Sequence, residues 1–177
     1  MNDLTVIFLT VNRVPEKWAE YHMKILKEAI VDCAAVISIS KKPMDFGTNI
    51  LQTEPESSSN IYWQMLKAAK MTTTPYIAIA EDDVLYCREH FTPSDPKTRI
   101  LFRPQKDEFA YNMTRWSLFT WGEPMYSWRH RIGNFALMAP RELAIEALEE
   151  RFAKYPDGTP NDATGELGKP RSDKRLR

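Results

Sequence analysis

Cysteine is scarce in this chain: Cys33 and Cys87 are the only two among 177 residues. Two are too few for a disulfide framework, and their spacing matches no metal-ligand pair. They read as small core residues of a protein kept in a reducing compartment. Neither sign of charge is in excess, since 24 Lys and Arg balance 24 Asp and Glu. Zero net charge excludes a global field drawing the chain to nucleic acid or anionic lipid, and leaves only local patches. Long apolar runs are absent as well. The stretch from Leu4 to Val11 is too short to span a bilayer, follows Asp3 and lacks the basic flank of a signal peptide. Neither a membrane span nor a leader is expected, and the cytoplasm is the expected compartment. No internal repeat is visible.

What is present is the composition of a globular domain. With 43% hydrophobic and 27% charged residues over this length, the chain can bury one substantial core. Its most informative stretch is Tyr76-Ile77-Ala78-Ile79-Ala80, which runs into Glu81-Asp82-Asp83. The apolar part is short, starts after Pro75 and shows no polar alternation, as expected of a strand buried on both faces. Three acids at the end of such a strand repel one another and resist desolvation. A bound cation relieves both penalties, and oxygen-only ligands suit Mg²⁺ or Mn²⁺. The alternative is a solvated turn or a cap on a following helix.

Around that stretch the pattern is β-α-β-α-β. Leu4 to Thr10 is rich in β-branched residues and predicts a first strand. Glu16 to Val31 repeats apolar residues at helical spacing after Pro15, and Ala34 to Ile39 predicts a second strand. Residues 43 to 57 read as loop. One of Ser57 to Ser59 caps a helix from Asn60 to Met71, with Tyr62, Met65, Leu66 and Ala69 on its apolar face. Further on, Thr98 to Arg103 and Ile132 to Met138 predict strands, and Pro140 opens a helix to Lys154. Between Phe109 and Trp128 lie seven aromatics, most of them expected in the core, with Trp121 and Trp128 candidates for exposure beside Gly122 and Pro124. His130, flanked by Arg129 and Arg131, reads as structural. The expected architecture is α/β: a single Rossmann-like domain over 1–155, with a mostly parallel central sheet flanked by helices. Residues 156–177 form a polar tail expected to be mobile without a ligand.

The order strand, Thr10-Val11-Asn12-Arg13, helix, strand, helix, strand, Glu81-Asp82-Asp83 resembles nucleotide-sugar glycosyltransferases of the GT-A fold. Ile7 to Arg13 is similar to their "LTYNR"-type start, and Ser57 through Lys67 to Asp83 to their second helix and acidic motif. Glu81-Asp82-Asp83-Val84 looks like the EDD variant of their DxD motif. The resemblance covers residues 4 to 90 and implies a nucleotide-sugar-binding half at 1–90 and an acceptor-side half at 91–155. It implies that Asp83 binds the metal, while Glu81 and Asp82 face the sugar or ribose hydroxyls. Thr10, Asn12 and Arg13 would line the nucleoside pocket, Ser40 would lie near the base, and Lys67 belongs to the same binding half. The implied donor is a UDP-sugar, the cofactor Mn²⁺ or Mg²⁺, and the acceptor a glycan or other hydroxyl compound. A catalytic base would come from Asp162 or Glu166, which read equally as solvated loop acids.

Two alternatives stand beside metal-dependent sugar transfer. One is a non-catalytic nucleotide- or glycan-binding module of transferase-like fold. The other is a nucleotidyltransferase, against which counts the absence of glycine from Val11 to Pro15. A nucleic-acid partner comes last, because charge is balanced and no recognition motif is present.

Overall fold

The computed structural model describes residues 3–57, 59–93, 102–119, 121–158, 165–168, 170–171 and 174–175. One six-stranded sheet organises the domain, in the order β3-β2-β1-β4-β8-β5. Its strands are β1 (Leu4–Leu9), β2 (Ala35–Ser40), β3 (Thr48–Leu51), β4 (Tyr76–Glu81), β5 (Ala110–Tyr111) and β8 (Leu137–Pro140). The first four in space run parallel, while β8 is antiparallel to both β4 and β5. This is the mostly parallel, helix-flanked α/β sheet expected of the sequence.

The central strands are apolar on both faces because both faces are covered. Leu4, Val6 and Phe8 of β1 meet α1 (Glu16–Ala29), which buries His22, Leu26 and Ala29. Ile7, Leu9, Ile77 and Ile79 point the other way, toward α2 (Asn60–Met71) and α4 (Arg141–Lys154). Each such aliphatic side chain contributes about 1.5–3 kcal/mol on full burial. The strand ends that carry the acids are therefore anchored in the best-packed part of the molecule. Leu167, from the C-terminal segment, is fully buried in the same cluster, and Tyr111 Oη donates to its carbonyl at 2.8 Å. No helix among the described residues is long and apolar enough to cross a membrane.

Several expectations need correction. Residues 43–57 are not all loop, because β3 pairs in parallel with β2 after only a short return. Gly47 makes that return: its φ is +64°, and a Cβ there would sit 2.3 Å from the Val36 carbonyl oxygen. Phe102 and Arg103 belong to no strand, and the rest of that expected strand, 98–101, lies outside the described residues. Within 132–138, a 3-10 turn at Asn134–Ala136 precedes β8. The aromatic belt is largely not core. It forms an antiparallel hairpin, β6 (Arg115–Phe119) with β7 (Met125–Arg129), in which Trp116 faces Trp128 and Leu118 faces Tyr126. Trp116 is 65% and Tyr126 72% exposed. Cys87 is exposed rather than buried. It precedes α3 (Arg88–Phe91), a single turn that plugs Phe91 into the α1 side of the sheet. Pro170–Arg171 (β9) and Lys174–Arg175 (β10) form a separate antiparallel pair.

Candidate functional site

From β1 the chain builds outward to β2 and β3, then returns through α2 to place β4 on the other side of β1. In open α/β sheets ligands bind beyond the carboxyl ends of the strands, at such a reversal. A cavity of about 420 Å³ opens there. Its floor is the end of β1 and the residues after it, Leu9, Thr10 and Val11. One wall is Glu81, Asp82 and Asp83; the other is Gln52, Glu56 and Ser57 with Asn60, Ile61 and Gln64 from the first turns of α2. At the start of that helix Ser57 Oγ accepts the Asn60 N–H at 3.1 Å.

The acidic turn is held from beneath on three sides. Trp18 Nε1 donates to the Asp82 carbonyl at 2.7 Å, and the His22 ring bonds the Val84 carbonyl at 2.8 Å. The Glu81 N–H donates to Tyr86 Oη at 2.9 Å, and Tyr86 in turn donates to the Phe135 carbonyl at 3.0 Å. Thr10 Oγ1 donates to the Asp82 carboxylate, tying the end of β1 to the end of β4. These bonds fix the turn while its carboxylates stay crowded. Burial, then the charges of Asp83 and Asp82, push the Glu81 carboxyl up to about 7. Asp82 is also raised, by burial first, against the lowering pull of its bond from Thr10. Burial lowers His22, which faces the same acids as a neutral ring.

The loop after β1 turns at Asn12, the only described non-glycine residue with positive φ, at 55°. Short polar side chains tolerate that conformation. Asn12 Oδ1 accepts from the N–H groups of Lys41 and Lys42 at 2.9 and 2.8 Å, joining the loops after β1 and β2, and its own N–H donates to Thr10 Oγ1 at 2.8 Å. Arg13 pairs with Glu56 at the cavity rim.

Of the residues singled out in the sequence, Thr10, Glu81, Asp82 and Asp83 meet in this cavity, with Asn12 and Arg13 beside it. Lys67 lines a neighbouring cavity instead. Ser40 is fully buried, donates to the Lys42 carbonyl at 2.6 Å and accepts from Asn49 Nδ2 at 2.9 Å, and lines neither cavity. Glu166 also lines neither, and its charge acts on Tyr111. Asp162 lies outside the described residues. His130 packs against Trp128 beside the hairpin, the rings tilted and their centroids 4.7 Å apart. Sequence reasoning missed Gln52, Glu56, Asn60 and Gln64. The one available signal was the i, i+4 spacing of Asn60 and Gln64 at a helix start.

Among the described residues, no group of three His, Cys, Asp or Glu side chains is placed to hold a metal ion. A closed protein cage is thus absent there. Magnesium, however, is commonly held by one or two carboxylates together with substrate phosphates. The all-oxygen donors of Glu81, Asp82 and Asp83, with Glu56 across the cavity, fit a hard divalent cation held in that shared way. Nothing in the donor set selects manganese.

No family model and no curated protein matches the chain. Among solved structures, it is similar to 2-C-methyl-D-erythritol 4-phosphate cytidylyltransferase from Thermus thermophilus, at 10% identity and a TM-score of 0.48, covering 92% of this chain and 81% of that one. It is also similar to the bifunctional IspDF from Campylobacter jejuni, at 12% identity and a TM-score of 0.45, covering 84% of this chain. The chain spans 44% of that protein's length. Neither is a glycosyltransferase. The expectation of sugar transfer from a nucleotide-diphosphate sugar is corrected on that finding. Neighbours this distant assign no residue role and no substrate to the chain.

Proposed function

We propose that the chain binds a nucleoside triphosphate together with a divalent cation in the crevice between β1 and β4, and transfers its nucleotidyl group to an acceptor oxygen with release of pyrophosphate. The observation that carries this reading is the cavity at the strand reversal, with three consecutive carboxylates on one wall. The lack of glycine after β1 counts less than the sequence implies. Asn12 itself takes the left-handed conformation, so the loop makes the tight turn that glycine would otherwise supply. Asp82 and Asp83 would hold the cation with the phosphates, which when bound neutralises charge on the triphosphate. Thr10 orients Asp82 by its hydrogen bond. Arg13 at the rim supplies a fixed positive charge toward the same anion once Glu56 releases it.

The test is calorimetric titration of CTP, UTP, ATP and GTP, each with and without Mg²⁺, against wild type and Asp83→Asn. Magnesium-dependent binding of at least one of them, lost in the variant, is the expected result. Four flat titrations against a folded protein would overturn the reading.

A further inference from the structure

The hairpin of β6 and β7 is a two-stranded sheet of its own, outside the six-stranded sheet. A ribbon of two strands alone is marginal in water, so what covers its faces matters. One face is turned inward. Arg115 lies over the Phe135 ring at 4.7 Å and Arg129 over Phe119 at 5.2 Å, with Ser117 and Ser127 half-buried between them. The other face carries the rungs Trp116–Trp128 and Leu118–Tyr126. Trp116 is 65%, Trp128 55%, Leu118 64% and Tyr126 72% exposed. Among the described residues, the ring contacts of this face run only within the hairpin and to His130. Aromatic side chains bury about 150–250 Å² each when covered, so the four leave roughly 400–600 Å² of surface open. On that scale an apolar patch marks a site of interaction, since the largest patch of a typical monomer is about 300–600 Å² and often functional.

We propose that this outer face is a dimer interface, on which the hairpin of a second copy of the chain packs antiparallel. The distribution of charge selects that occupant. No Lys, Arg, Asp or Glu belongs to the four-residue face, because Arg115 and Arg129 lie on the opposite one, so nucleic-acid phosphates find no cation beside the rings. Glu123, exposed at the hairpin tip, is repelled by the surface of an anionic membrane. A second copy meets neither obstacle. With a twofold axis through the Ser117–Ser127 rung, the Trp116–Trp128 rung of each copy covers the Leu118–Tyr126 rung of the other. Ser127 lies four residues from Glu123 and four from Arg131, so the same axis brings each copy's Glu123 level with the other's Arg131. Both are exposed, and neither has an ion-pair partner among the described residues. Covering the four side chains on both copies removes about 1,000 Å² from water, the level a specific interface must clear. Trp121 and Met125 at the tip, 72% and 58% exposed, raise the buried area toward the standard size of about 1,600 Å².

Sedimentation velocity on the full chain, from about 1 to 100 µM, reads the association directly. Wild type is expected to sediment as a dimer at the upper end. Trp116→Thr combined with Tyr126→Thr keeps strand-forming residues but strips the centre of the face. That variant is expected to sediment as a monomer with unchanged far-ultraviolet circular dichroism. Glu123→Arg leaves the apolar face intact and is expected to weaken the dimer about 3- to 10-fold, and adding Arg131→Glu is expected to restore it. Rescue by the swapped charges is a result that a structural role of either residue alone would not give. A Trp116→Thr, Tyr126→Thr variant that stays dimeric overturns the proposal, and so does a charge swap that fails to restore association. A wild type that is monomeric throughout overturns it as well. Flotation of that monomer with phosphatidylserine vesicles, or its retention of poly(U), would then give the face to a membrane or to single-stranded nucleic acid.

Discussion

Removing the charge of Glu81 should stabilise the cation-free protein at alkaline pH and leave it unchanged in acid. The Glu81 carboxyl is held up at about 7 in the folded state, against an ordinary value of 4.5, first by burial and then by Asp83 and Asp82. Between those values the folded protein binds more protons than the unfolded chain, so stability falls as pH rises. The full difference corresponds to roughly 3 kcal/mol, and solvent reaching the site lowers it to about 2–3 kcal/mol. Above pH 7 the native protein carries that penalty whenever no cation is present. Glu81→Gln keeps the shape and deletes the charge. Asp82 shifts in the same direction in both proteins, so their difference isolates Glu81. Urea denaturation in a chelator at pH 4 and pH 8 reads it directly. With a slope of about 1–3 kcal/mol per molar, the variant's midpoint should lie about 1 M above wild type at pH 8 and nearly coincide with it at pH 4. Parallel pH profiles for the two proteins would refute the reasoning, since the carboxylates would then be solvated and the cavity wall uncharged by burial.

Other perturbations follow from the same structure. Burial lowers His90, wedged between the Tyr86 and Phe91 rings, to about 4. The unfolded chain therefore takes up its proton first as pH falls from 6.5, stability drops between pH 6.5 and 4, and a pH series of thermal melts should show a shallower acid limb for His90→Phe. Tyr86→Phe orphans the Glu81 N–H and the Phe135 carbonyl together, and should cost about 2–3 kcal/mol in chemical denaturation; a loss below about 0.5 kcal/mol would mean water replaces the hydroxyl. Gly47→Ala meets both a left-handed φ and the Val36 backbone and should cost about 3–5 kcal/mol, whereas Gly122→Ala, with φ +78° and open space, should cost at most about 1–2 kcal/mol; equal losses in the two would contradict the steric account.

How far the sequence discloses this molecule depends on what kind of force sets each element. β1 and β4 were legible because strands covered on both faces must be apolar throughout, and Leu4–Leu9 and Tyr76–Ala80 have no other use for such composition. The helices α1, α2 and α4 were legible from their spacing and their proline or serine starts. β3 was not. Its Thr48-Asn49-Ile50-Leu51 is short and half polar, and it exists because Gly47 turns the chain back and Asn49 Nδ2 donates to Ser38 Oγ and Ser40 Oγ, each at 2.9 Å. Those are tertiary bonds with no periodic trace. The hairpin misled for a different reason. Trp116, Leu118, Tyr126 and Trp128 alternate with Arg115, Ser117, Ser127 and Arg129, a period of two that marks a ribbon, yet aromatic content alone argued for burial.

The site divides along the same line. Thr10 and the three acids could be placed from sequence because strand ends at a reversal are fixed by the sheet. The wall opposite the acids is supplied instead by Gln52, Glu56, Asn60 and Gln64. Three of these hang from the segment after an unforeseen strand or from the first turn of a helix, and Gln52 is buried with an oxygen that has no partner among the described residues. Burial without a partner belongs to the folded state alone. A pattern of strands and acids therefore locates a crevice, and the cation and phosphates proposed to bind there would be held alike whether a sugar or a nucleotide is moved. Only groups reaching the non-phosphate part of a ligand can tell one such ligand from another.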